Sequence, residues 1–170
     1  MSDQATVEMW QKISTPGSEH EKLAKYTGDW KIELKAWMAP GQPPMETSGT
    51  AQTTMMLGGR IRKEEFHADM GGMPFDGWGM TGFDNFKRKF WMTWNDNMFT
   101  GIIHVEGEFA ESKKAIVMHG YMDKPMANQR DVPIRNLLRL MSDDHYVFEV
   151  WEHVGTPQEF QSLEIKYKRT

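Results

Sequence analysis

Trp30-Lys31-Ile32-Glu33-Leu34-Lys35-Ala36-Trp37 is the stretch on which the fold turns. Trp30, Ile32, Leu34 and Ala36 alternate with Lys31, Glu33 and Lys35, so an extended chain puts the apolar side chains on one face and the charges on the other. Upstream the spacing is helical. Ser2 or Asp3 caps a first turn carrying Val7, Met9 and Trp10, and Pro16-Gly17 breaks it. Ser18 opens a second turn, with Glu21 placed as in a capping box and Leu23 and Tyr26 on one side. Thr27-Gly28-Asp29 ends the helix, and the period changes to that of a strand.

Downstream, the same two-residue period recurs in Gly49–Met56, Ile61–His67, Phe75–Thr81, Lys87–Trp94, Phe99–Glu108, Ala115–Tyr121, Val132–Leu140, Tyr146–His153 and Phe160–Tyr167. The joints carry turn chemistry: Leu57-Gly58-Gly59-Arg60, Met70-Gly71-Gly72-Met73-Pro74, Asp84-Asn85, Asn95-Asp96-Asn97, Glu111-Ser112-Lys113 and Ser142-Asp143-Asp144. Val132–Met141 also fits one face of a helix through Ile134, Leu137, Leu138 and Met141, and is kept as a strand. About ten strands joined mainly by hairpins define an all-β protein, a barrel or a sandwich. A closed antiparallel up-and-down β-barrel with a short N-terminal helix is preferred, because closure removes both sheet edges. About ten strands also leave a cavity wide enough for one ligand. The first strand, Trp30–Trp37, is expected to pair with the last, Phe160–Tyr167. Leu163, Ile165 and Tyr167 there share one face, opposite Glu164, Lys166 and Lys168.

Composition removes several function classes. The chain has 170 residues, long enough for one sizeable core, and no repeat or linker divides it. A net charge of -4 lacks the basic stripe that a nucleic-acid grip needs. The absence of cysteine excludes disulfides, thiolate metal ligands and a cysteine nucleophile. No apolar run approaches the roughly 18 residues of a membrane span, and no apolar core of a secretory signal precedes Pro16, so a cytoplasmic protein without membrane contact is expected. Fifteen methionines and seven tryptophans suit either core filling or the lining of an adaptable pocket.

Glu19-His20, Leu23 and Gly28-Asp29-Trp30 resemble the helix followed by Gly-x-Trp that opens lipocalin-like (calycin) barrels. The chain is more specifically similar to a family of bacterial proteins known as domain of unknown function 1579. The resemblance rests on Leu57-Gly58-Gly59-Arg60, Pro74-Phe75-Asp76-Gly77, Gly82-Phe83-Asp84-Asn85, Lys89-Phe90, Trp94-Asn95-Asp96 and the closing stretch Leu163 to Arg169. Phe83 and Phe90 stand where the family pattern has tyrosine, and Asn95 where it has Ile or Leu. The resemblance implies a lipocalin-like fold and no activity. It also implies that Trp30 plugs the closed end, with Arg169 or Lys168 over its ring at a gain of roughly 0.5–2 kcal/mol.

The motif positions place Phe90 and Trp94 inside the barrel, with Met92 on the same face and Trp91 outside. Phe148 and Val150 are the inward residues of Tyr146–His153. Gly77 and Gly79 share a face, and if it is the inner one they open room for a ligand. The expected ligand-binding residues are Phe90, Met92, Trp94, His104, Phe148, Leu163 and Tyr167. Their partner is a small apolar or amphipathic molecule, with Met70–Met73 gating the mouth and no cofactor, metal or catalytic residue implied. His104 with Glu106, or Glu65 with His67, offers an acid–base couple. His153 lies where related small barrels place a haem-ligating histidine, although their Gly-x-Trp-x-Gly-x-Gly is missing here. These histidines define the alternative, a barrel enzyme or haem protein. Trp37, Trp91 and Trp151, read as outward, are the motive for a homodimer.

Overall fold

Strand β1 (Gly28–Ala36) begins where Gly28 takes a φ of 124°, a conformation that lets the chain leave the helix without a Cβ clash. The computed structural model describes residues 3–112 and 114–170, so the cap expected of Ser2 and the Lys113 end of one turn lie outside the described residues. Nine further strands follow: β2 (Met45–Met56), β3 (Ile61–Asp69), β4 (Pro74–Asp84), β5 (Lys89–Asp96), β6 (Ile103–Phe109), β7 (Ala115–Lys124), β8 (Gln129–Ser142), β9 (His145–Glu152) and β10 (Phe160–Arg169). Each pairs antiparallel with its sequence neighbour, and β1 pairs with β10 to close the barrel. Trp30 lies opposite Arg169, Ile32 opposite Tyr167 and Leu34 opposite Ile165. The closure expected from the alternation of the two end strands is therefore the one found.

Several boundaries move. Val132–Met141 lies within β8 and is strand, because Val132, Ile134, Asn136 and Leu138 turn inward in strict alternation. The strand expected from Phe99 starts only at Ile103. Asn95 Nδ2 donates to the Gly101 carbonyl at 3.0 Å, and Asp96 Oδ1 accepts from the Met98 N–H at 2.9 Å, folding residues 97–102 into a loop. β2 begins at Met45, where Glu46 meets Lys35 across the pair at 2.9 Å.

Two helices precede the barrel: α1 (Asp3–Ser14), with no buried residue, and α2 (Ser18–Ala24), which buries His20 and Leu23. The expected Ser18–Glu21 box is shifted by one position. Gly17 is the cap, and His20 Nδ1 accepts the Gly17 N–H at 3.1 Å. Burial against Phe83 lowers the His20 pKa, partly opposed by a hydrogen bond with the Phe83 backbone. The last carbonyls of α1 are met by Arg60 (Ser14 carbonyl, 2.6 Å), and Asn85 holds the Thr15 carbonyl at 2.7 Å just beyond. Arg60 and Asn85 sit on turns at the closed end, so α1 and α2 belong to that end. None of the helices among the described residues is long and apolar enough to cross a membrane.

Candidate functional site

Alternation in every strand turns one set of side chains into the barrel, and the set changes character with depth. At the closed end Trp30 is almost fully buried, its Nε1 donating to Thr53 Oγ1 at 3.1 Å. The Arg169 guanidinium lies 4.4 Å from the centre of the Trp30 ring and donates to the carbonyls of Thr27, Lys25 and Asp143. Of the two basic residues considered for this contact, Arg169 makes it; Lys168 points outward to Glu33. Phe83, Phe90 and Phe109 pack edge-to-face beside this plug, with Lys22 of α2 over Phe109.

Above the plug lies a polar floor. Arg62, buried on β3, donates to Glu64 Oε2 at 3.1 Å, to Tyr146 Oη at 2.7 Å and to the Tyr26 carbonyl at 3.2 Å. Glu64 Oε1 accepts from Tyr167 Oη at 2.7 Å. Burial alone would disfavour the Arg62 charge, but Tyr146, Glu64 and Tyr167 outweigh it and raise the Arg62 pKa. Burial, reinforced by Glu64, keeps the Tyr167 and Tyr146 phenols protonated, with pKa values well above the ordinary range.

The cavity over this floor has a volume of about 790 Å³. Its walls include Phe66, Met92, Trp94, Met118, Ile134, Leu138, Phe148, Val150, Leu163 and Ile165. Met38, Met70, Phe99, Ile102 and Tyr121 stand around the mouth. Met70 belongs to the loop expected to gate it, a tight turn in which the Met70 N–H bonds the Met73 carbonyl at 2.9 Å.

Of the expected ligand-binding residues, Met92, Trp94, Phe148, Leu163 and Tyr167 line this cavity. Phe90 and His104 do not. Phe90 faces inward but lies below the cavity, sealed between Phe83 and Phe109. His104 faces solvent because its strand neighbours Ile103 and Val105 take the inner positions. It stands 3.8 Å from Glu106, so that couple exists on the outer surface, where Lys87 also claims the carboxylate. His67 is likewise outside, 2.6 Å from Asp76 rather than paired with Glu65, which is held by Lys63. His153 has a φ of 55° just past β9 and stacks on Phe160. Among the described residues no histidine lines the cavity, so none of His67, His104 and His153 stands where the haem or acid–base alternative would need it.

Gly77 and Gly79 do face inward, but the room they leave is taken. A Cβ on Gly77 would come within 2.2 Å of the Trp94 indole, so these glycines seat that ring rather than a ligand. Trp91 lies outside over Gly82, and Trp151 lies outside with Arg135 above its ring. Trp37, read as outward, instead lines the mouth.

The sequence reading missed Arg62, Glu64 and Asn136. The first two share a strand face with Phe66, and Asn136 falls between Ile134 and Leu138. Parity with an apolar neighbour was the signal that could have placed them.

The fold and its interior define a closed ten-stranded antiparallel barrel with one end plugged and the other open, a form that fits the lipocalin-like class. Residues 15–169 match the family described as protein of unknown function (DUF1579), and the chain belongs to that family. No curated protein gives a significant match. Among solved structures the chain is similar to Rv2717c from M. tuberculosis, with a TM-score of 0.64 and 13% identity over 92% of this chain and 99% of that one. A redesigned β-barrel matches with a TM-score of 0.46 and 11% identity, over 87% of this chain and 94% of that chain. At 13% identity the likeness to Rv2717c is one of fold.

Proposed function

We propose that this protein binds a small apolar or amphipathic molecule inside the barrel, with Met70–Met73 at the gate. The carrying observation is the cavity of about 790 Å³, walled by aromatic and aliphatic side chains and open at one end. A volume of this size lies in the range of ordinary small-molecule sites, roughly 300–1,000 Å³. Apolar walls of this kind offer dispersion contacts to an apolar guest. Methionines at Met38, Met70, Met92, Met118 and Met122 let the lining adjust to varied shapes.

Nile red, a neutral dye that brightens in apolar surroundings, tests this. Titration is expected to give saturable binding with one dye per chain. Leu163→Trp and Phe148→Trp, which narrow the cavity, should weaken it. An absence of saturable emission, or affinity untouched by either substitution, overturns the reading.

A further inference from the structure

The charges facing the cavity are unevenly placed. In the floor, Arg62 and Glu64 neutralise each other, and both are further held by Tyr146, Tyr167 and the Tyr26 carbonyl. No other basic side chain lines the cavity among the described residues. Toward the mouth the charged lining is acidic: Asp96, Asp123 and Asp131, with Glu152 already engaged by Lys124. One polar group in the wall is left over. Asn136 is 2% exposed, lines the cavity, and its Oδ1 is buried with no hydrogen-bond partner. An unmet buried acceptor of this kind carries an uncompensated desolvation cost, so a donor that reaches it is rewarded.

Resting on the binding role proposed above, we infer that the cavity selects an uncharged amphiphile bearing a hydroxyl group. It enters head first, donates its O–H to Asn136 Oδ1 once the amide turns that oxygen toward the cavity, and leaves its tail against Met92, Trp94 and Leu163. A carboxylate head finds no free cation in the cavity, since the one guanidinium is already paired. An ammonium head finds acids only at the wet rim, where screening leaves them weak, and reaching Asn136 would strip its water without a counter-charge. A hydroxyl has neither cost, and it can also accept an N–H from the amide in its unturned orientation.

The test uses dodecan-1-ol, dodecanoate and dodecylammonium, equal in tail and different in head, as competitors of bound Nile red, below the micelle thresholds of the two ions and the solubility limit of the alcohol. Dodecan-1-ol is expected to displace the dye at a concentration at least about tenfold lower than either charged analogue. Asn136→Leu should raise the dodecan-1-ol requirement by about tenfold while the dye still binds. Equal displacement by all three overturns the inference, as does preference for a charged head or indifference to Asn136→Leu. Displacement by none with the dye still bound also overturns it. All of these outcomes leave the binding role standing, whereas that role itself falls if the dye never binds. Should Asn136→Leu fail to fold, the wild-type series alone decides.

Discussion

Removing an indole from a barrel costs most where the ring has no solvent-facing side and carries polar partners of its own. Trp30 is such a ring. Its N–H bonds Thr53, Thr53 in turn donates to the Tyr26 carbonyl at 2.6 Å, and Arg169 caps the ring from outside. Trp91 is half-buried on the outer face, where it covers Gly82. Truncation of Trp30 therefore opens a cavity, takes one donor from Thr53 and removes the ring beneath Arg169, while truncation of Trp91 mainly uncovers a glycine. Urea unfolding should show Trp30→Ala losing about 3–5 kcal/mol and Trp91→Ala distinctly less. Equal losses would show that the closed end is not held by Trp30. In a domain of ordinary marginal stability the larger loss threatens folding itself.

At the scale of strands, close approach between neighbours is set by glycines that the alternation pattern does not flag. A Cβ on Gly107 of β6 would meet the Val117 carbonyl oxygen at 1.8 Å, so backbone rather than a movable side chain stands in the way. Gly101, in the preceding loop, has nothing within 4 Å. Gly107→Ala should thus lower the thermal midpoint, by the equivalent of roughly 1–3 kcal/mol, and Gly101→Ala should leave it nearly unchanged. If Gly107→Ala is as stable as wild type, the β6–β7 approach is looser than described. The strands themselves were legible in the sequence because alternation is a local signal, present in Trp30–Ala36 and again in Leu163–Tyr167. The interior charges were not legible, because what makes them tolerable is remote. Arg62 is satisfied by Tyr146, 84 residues on, and Glu64 by Tyr167, 103 residues on. No local window holds both partners, so a reading by residue type assigns Arg62 and Glu64 to solvent and looks to histidines for chemistry. The same limit explains Gly77 and Gly79: their inward face could be proposed, but not that Trp94 would fill it.

Taken whole, the molecule is a barrel plugged at one end and apolar-walled at the other, and a guest in the open half can raise its stability. The closed end is packed by aromatic rings and pinned by Arg169, so it supplies much of the native contact independently of any guest. The open half has apolar walls around a cavity of about 790 Å³, where a guest would add dispersion contacts. A guest that enters the cavity binds the native state and not the unfolded chain, so it must raise the free energy of unfolding by mass action. Each further tenfold in free ligand above its Kd adds about 1.4 kcal/mol. Urea curves recorded at increasing free Nile red should therefore shift their midpoints upward while the slope m stays constant, because the surface exposed on unfolding is unchanged. Leu163→Trp should flatten that dependence while keeping a cooperative transition. Dye that merely adheres to exposed side chains such as Phe86 or Met126 would give no such linkage. A midpoint independent of dye would place the binding outside the barrel.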